Sequence, residues 1–232
     1  MVSQKNEFHP DRKQILKAQK VYQILFSFYG QPTWHNPLTP LDELMSTILS
    51  QNTNDHNRDT AFQNLKKVFP TWEQVRDAPQ EEVINAIRSA GLANQKGVRM
   101  QSILRQITVE RGNLELTFLA EQPAEQARQW LLRFKGVGPK TASIVMQFSL
   151  NHSAFPVDTH IYRVSGRLGL RPPKMNVEKT HELMEQLFKP NQFSTAHLNI
   201  IRLGREVCVA RKPKCPDCPL QIQCLFYRSQ LI

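Results

Sequence analysis

Apolar residues recur every three or four positions along most of this chain, and the breaks between the runs fall on proline and glycine. Ile15, Val21, Ile24, Leu25 and Phe28 share one helical face, which Gly30-Gln31-Pro32 brings to an end. A Pro-rich connector from Pro32 to Pro40 reads as a boundary between packing units. Thr39-Pro40-Leu41-Asp42 then opens a helix with a cap, proline at the first position and early acids. Leu44, Ile48 and Leu49 carry that helix to the polar cluster Ser50–Asp55. Further helices run through Ala61, Leu65 and Val68, from the capping-box start Thr71-Trp72-Glu73-Gln74, and from Pro79 through Ile87 towards Gly91. Others cover 94–111, the stretch opened by Pro123, Val177–Phe188 and Thr195–Gly204. No stretch alternates with the period of a strand, so the class is all-α, with about ten short helices.

One segment is built differently. In Leu131-Leu132-Arg133-Phe134-Lys135-Gly136-Val137-Gly138-Pro139-Lys140-Thr141-Ala142 an apolar run stops at Gly136 and a second begins at Pro139, which reads as helix, hairpin, helix. Glycine supplies positive φ and close backbone approach, and proline suits the first helical position. Such a turn aims backbone N–H groups and a positive dipole end outward, a ready phosphate site. Lys140, second in the new helix, stands where the dipole disfavours positive charge and where burial adds to the effect, so it is a candidate amine nucleophile. The plain alternative is a turn with a solvated lysine.

Charge sharpens the picture where it is split. Residues 131–232 hold 15 Lys/Arg against 6 Asp/Glu, whereas residues 1–130 hold 15 against 14, so almost all of the net +10 lies in the second part. Concentrated positive charge points to a polyanion, with nucleic acid first. No run is apolar enough to span a membrane, and the first residues lack the apolar core of a signal peptide. The expectation is an intracellular protein, cytoplasmic or nucleoid-associated, with no membrane partner and nothing that requires more than a monomer.

Two further groups of residues carry chemistry. Asp158 follows Lys140 by 18 residues, at a helix start set by Pro156 and continued by Ile161, Val164 and Leu168. It is read as an N-cap that can also stabilise positive charge on a sugar ring or assist proton transfer. His160, next but one, is a possible pocket residue, though a structural role is the plainer reading. All four cysteines, Cys208, Cys215, Cys218 and Cys224, fall in a C-x6-C-x2-C-x5-C pattern stiffened by Pro213, Pro216 and Pro219. A reducing compartment and so tight a cluster argue for a metal site. Four thiolates suit either zinc or an iron–sulfur cluster, and spacing alone leaves the two open.

Together, F-K-G-V-G-P-K-T-A, V-D-T-H-I and the cysteine pattern resemble the endonuclease III family of helix–hairpin–helix DNA glycosylases, over roughly residues 15–226. The resemblance implies two helical domains with a DNA-binding cleft between them: a six-helix domain at 36–150 carrying the hairpin, and 1–35 plus 151–232 carrying a C-terminal [4Fe-4S] cluster loop. Lys140 matches the family's nucleophile, Asp158 its essential carboxylate, and the four cysteines its cluster ligands. Phe134-Lys135 stands where relatives usually have Leu-Pro, and Pro139 where they often have Arg. Gln51 and Asn52 lie in a segment resembling the one that fills the gap left by an extruded base, with Asn52 at the place of the family's Gln.

The implied partner is double-stranded DNA with damaged bases or abasic sites. Lys135, Gly136, Val137 and Gly138, and the basic loop residues Arg211, Lys212 and Lys214, are the candidate phosphate contacts. The implied activity is base removal, of oxidised pyrimidines foremost, followed by cleavage 3′ to the site through a Lys140 Schiff base. The alternatives are a same-fold glycosylase for a mismatched or methylated base, and a non-catalytic DNA-binding module with a structural metal.

Overall fold

The computed structural model describes residues 8–33 and 37–230. The polar start, residues 1–7, and the middle of the connector, 34–36, lie outside the described residues, and with them the boundary expected at 35/36. In chain order the helices are α1 (Arg12–Tyr29), α2 (Pro40–Leu49), α3 (Asp55–Val68), α4 (Trp72–Asp77), α5 (Gln80–Ala86), α6 (Ala93–Arg111), α7 (Ala124–Leu132), α8 (Pro139–Ser149), α9 (Thr159–Leu168), α10 (Val177–Leu187), α11 (Phe193–Glu206) and α12 (Leu225–Arg228). Short 3₁₀ turns join several of them, and no strand occurs among the described residues. The class is all-α. The helix with no counterpart in the sequence reading is α12, four residues that are too short to show a period.

The chain divides into two compact units, Asn36–His152 and Met1–His35 with Ser153–Ile232. The Asn36–His152 unit holds seven of the helices, α2 to α8, with α4 and α5 the two short ones read from Thr71 and Pro79. Its centre is α2, buried at every position except Asp42. Thr39 opens it, its hydroxyl accepting the N–H of Asp42 at 3.2 Å, with Pro40 at the first position. Its apolar residues and the polar Glu43, Ser46 and Thr47 are covered alike, because α2 lies against α8, α3 and α6. Where α2 stops, Lys96 from α6 reaches in, only 2% exposed, and its Nζ donates to the carbonyls of Leu49 (2.7 Å) and Ala90 (2.8 Å). The Leu49 carbonyl has no partner in α2 itself, so the ammonium caps the end of that helix and ties it to the 3₁₀ turn at residues 88–90. Burial holds the Lys96 pKa below the usual lysine value, with the nearby Arg99 charge adding to the effect.

In the other unit α9, α10, α11 and α1 enclose a core around Phe155, whose ring stacks on Phe188 (5.4 Å) and meets Phe193 edge-on (5.6 Å). His181 Nδ1 bonds the carbonyl of Phe155 and His197 Nδ1 that of Pro156, each at 3.0 Å. Two buried histidines thus anchor the buried stretch Ala154–Val157, which delivers Asp158 to the start of α9. Removing the Phe155 ring leaves a cavity, so Phe155→Ala is expected to cost about 3–5 kcal/mol in a urea unfolding titration. A loss under 1 kcal/mol, read against a typical surface substitution, would show that the ring does not organise this core.

Candidate functional site

The hairpin expected at 136–138 is present, and its two glycines have different reasons. Phe134 is 1% exposed and meets Trp130 edge-on at 4.8 Å, which ties the end of α7 to the core. Val137 is buried too, and its N–H donates to the Phe134 carbonyl at 3.0 Å. Val137 therefore anchors the turn from inside; neither its side chain nor its N–H is offered outward, which corrects its place among the candidate phosphate contacts. Gly136 has φ +88°. A Cβ there would lie 2.1 Å from Nε of Arg99, so both conformation and space demand glycine. Gly138 has an ordinary φ of −97° and open space around its α-carbon, so nothing within the molecule requires its small size. The N–H groups of Gly136 and Gly138 find no acceptor among the described residues, and both glycines are exposed.

Pro139 takes the first position of α8 and Lys140 the second. Lys140 is exposed, so the burial anticipated for it is missing in the free protein, and among the described residues it has neither a hydrogen bond nor an ion pair. Lys135 is likewise exposed in the turn. Two N–H donors, a helix start and two cations thus face solvent within six residues, a set that suits a phosphate.

The polar cluster after α2 forms a turn, and Asn54 closes it by capping α3, its Oδ1 accepting the N–H of Asn57 at 2.8 Å. Gln51 does not project freely: its Nε2 donates to the carbonyl of Gly136 at 3.1 Å, and its Oε1 accepts from Nη1 of Arg99 at 2.5 Å. Asn52 is exposed and takes the left-handed region at φ +53°. Sequence reading missed Arg99, and nothing in the local pattern of α6 marks it, because its partners are 48 and 37 positions away.

Asp158 in the other unit is the N-cap of α9; its Oδ1 accepts the N–H of Ile161 at 2.8 Å, and Oδ2 has no partner among the described residues. His160 bonds Nη2 of Arg163 at 3.1 Å, and its β-carbon packs so close to Gly204 that a Cβ there would lie 2.9 Å away. That is the structural role read as the plainer alternative. Arg163 goes on to the carbonyls of Gly204 (2.8 Å) and Cys208 (3.0 Å), linking the start of α9 to the cysteine loop.

The four cysteines line one hollow together with Val207, Pro213, Phe226 and Tyr227. No disulfide joins them, and burial pushes the Cys218 thiol up to about 11 and raises that of Cys215 as well. Among the described residues no three His, Cys, Asp or Glu side chains stand grouped to hold a single metal ion. Four soft donors around one apolar hollow fit a thiolate-bound group larger than one ion. Arg167 Nη1 donates to Cys208 Sγ (3.3 Å) and to Val209 O (2.8 Å), and its Nη2 to Ala210 O (2.9 Å), while Lys214 N–H closes the loop on Val207 O (3.0 Å). Arg211, Lys212 and Lys214 are exposed with no acidic partner among the described residues.

Residues 45–190 match the model of the HhH-GPD superfamily base excision DNA repair proteins. A putative DNA glycosylase of Arabidopsis thaliana is 43% identical over 141 residues, which is 61% of this chain but only 48% of that protein, so the chain spans about half the length of that relative. Endonuclease III of Thermotoga maritima is 32% identical over 202 residues, covering 86% of this chain and 89% of that one. Among solved structures, a trapped endonuclease III–DNA covalent intermediate is similar with a TM-score of 0.81 at 26% identity, covering 94% and 99% of the two chains.

The two hairpin glycines separate by experiment. Gly136→Ala is expected to destabilise by at least about 1–3 kcal/mol from backbone strain alone. Gly138→Ala should stay within about 1 kcal/mol of wild type, the scale of an N-cap change. Equal melting temperatures for the two variants would contradict the assignment of Gly136 as the strained position.

Proposed function

The chain belongs to the HhH-GPD superfamily of base excision DNA repair proteins, in its endonuclease III-like branch, and from that premise we propose that it is a DNA glycosylase with AP lyase activity acting on damaged bases, oxidised pyrimidines foremost. The observation that carries this reading is the exposed, unpartnered Lys140 at the start of α8, directly behind two unengaged hairpin N–H groups. A backbone phosphate on Gly136 and Gly138 fixes the strand next to the amine. Gly138, for which the protein itself shows no steric need, is then explained by the approach of that phosphate. Lys135, Arg211, Lys212 and Lys214 add sequence-independent, salt-dependent affinity.

The damaged nucleotide is turned out of the duplex, and Asn52, at the exposed tip of its turn, enters the space it leaves. Lys140 as free amine attacks C1′ of the sugar. The bond to the base breaks, and the base leaves with the electron pair and takes up a proton. The free oxygen of Asp158 stabilises the positive charge that grows on the sugar while the C1′–base bond lengthens. Ring opening leaves Lys140 and C1′ joined as a Schiff base. Loss of a proton from C2′ then expels the 3′ phosphate and breaks the strand, and water releases the lysine.

Cys208, Cys215, Cys218 and Cys224 are proposed to hold a [4Fe-4S] cluster. When bound, such a group joins four points of the 208–224 loop and so fixes the presentation of its basic residues. Arg163 and Arg167, through the carbonyls of residues 204 and 208–210, hold the same loop from the protein side.

Two variants test the catalytic assignment. Lys140→Gln should abolish strand cleavage and borohydride trapping on an abasic-site duplex while leaving binding to that duplex within about threefold, because Lys140 forms the covalent bond and the hairpin N–H groups do the holding. Trapped complex in that variant removes Lys140 from the role. Asp158→Asn should lower base release by about 10²-fold or more, the scale of losing an electrostatic stabiliser, with the fold retained. For the metal, protein purified without oxygen should be brown with four irons per chain. Replacing Cys215 with Ser should bleach it, whereas one zinc per chain would overturn the cluster assignment. A panel of duplexes, each carrying one lesion, identifies the preferred base.

A further inference from the structure

Within the Asn36–His152 unit, three elements meet at one side chain. Arg99 of α6 lies across the hairpin at Gly136, in the space that a side chain on that residue would fill. Its Nη1 holds Oε1 of Gln51, and Nε2 of the same Gln51 holds the carbonyl of Gly136. Lys96, three positions earlier on the same face of α6, caps the end of α2 at Leu49, just before Gln51. Both atoms of the Gln51 amide are thus engaged inside the protein, and of the turn's two exposed residues Asn54 is taken up in capping α3, which leaves Asn52. Arg99 has no carboxylate partner among the described residues; its hydrogen-bond acceptor is the neutral amide.

We propose that Arg99 is a positioning residue that acts through Gln51, locking the 50–54 turn to the 136–138 hairpin so that Asn52 is presented at a fixed place relative to the bound phosphate. The proposal rests on the glycosylase reading above, and it reassigns Gln51 from contacting DNA to holding the turn. A locked turn is already in position when a nucleotide is extruded, so it favours damaged over intact duplex. It has little effect on the backbone contacts that both duplexes share.

The test uses the full chain and two duplexes of one sequence, one intact and one carrying a single tetrahydrofuran, an abasic analogue that forms no Schiff base. Arg99→Met, Gln51→Ala and the double variant should each reduce the preference for the tetrahydrofuran duplex by roughly tenfold, the scale of one hydrogen bond to a charged group. The double variant should lose no more than either single one, because both remove the same link. Affinity for the intact duplex and its salt dependence should be unchanged, and Arg99→Lys should recover part of the loss. Wild-type preference in both single variants overturns the proposal, as do additive losses. So does equal weakening on both duplexes with a salt slope shallower by about one charge, since Arg99 then touches phosphate directly. If Arg99→Met fails to fold, Gln51→Ala, a change at a turn, keeps the test in force. A wild-type protein with no preference for the tetrahydrofuran duplex sinks the glycosylase reading and this proposal with it; wild-type preference that survives the variants sinks this proposal alone.

Discussion

Burial of α2 is the constraint from which the hairpin-bearing unit follows. A ten-residue helix that buries all its apolar residues, and Glu43, Ser46 and Thr47 with them, is stable only when neighbours cover it on nearly every side. α8 covers one of those sides. Covering it sets the direction of α8 and hence the place of its first turn, where Pro139 and Lys140 stand. The same helix ends in the interior, where its last carbonyls need donors that solvent cannot supply. Lys96 supplies them to Leu49, at the desolvation cost reflected in its lowered pKa. Two segments, the hairpin and the turn after α2, are thus held by contacts with a single buried element.

Most of this architecture was legible in the sequence, because it rests on signals within a few residues. Thr39-Pro40, the Thr71–Gln74 box and the Asp158 cap are local hydrogen-bond devices, and each is found where the residue types call for it. The hairpin turn was legible for the same reason. Three things were not. The 79–91 stretch reads as one helix but divides at Ile87 into α5 and a 3₁₀ turn. Val137 lies between two glycines in a polar-looking turn, and only the fold reveals that it points inward. Arg99 is marked by no pattern at all, since its meaning comes from a glycine 37 positions away and a glutamine 48 positions away.

The cysteine loop shows the opposite balance. Its four sulfurs were evident at once from the spacing, but spacing says nothing of what holds the backbone between them. Arg163 and Arg167 do this on the protein side, donating to the carbonyls of 204 and 208–210, with Arg167 also stacked on Phe226 at 4.6 Å. Neutral carbonyl partners leave the charge of these arginines uncancelled, but both side chains are half-buried and engaged in holding the loop. Arg211, Lys212 and Lys214 have no such partners among the described residues. The cations best placed for direct contact with a polyanion are the exposed ones that the protein leaves unpaired.

Gly138 takes this reasoning one step further. A glycine is expensive in conformational entropy, and a folded protein normally shows why it is there. Gly136 does so twice, through its positive φ and through the arginine that fills the place of its side chain. Gly138 shows neither, and α8 starts without any side-chain cap at that position, where Ser, Thr or Asp would have bonded a free N–H. A side-chain cap would also have covered the helix start. Leaving it bare keeps the N–H groups and the approach to them open, which is of use only if the acceptor comes from outside and is bulky. A phosphate on a nucleic-acid backbone meets both conditions, as the proposed function requires.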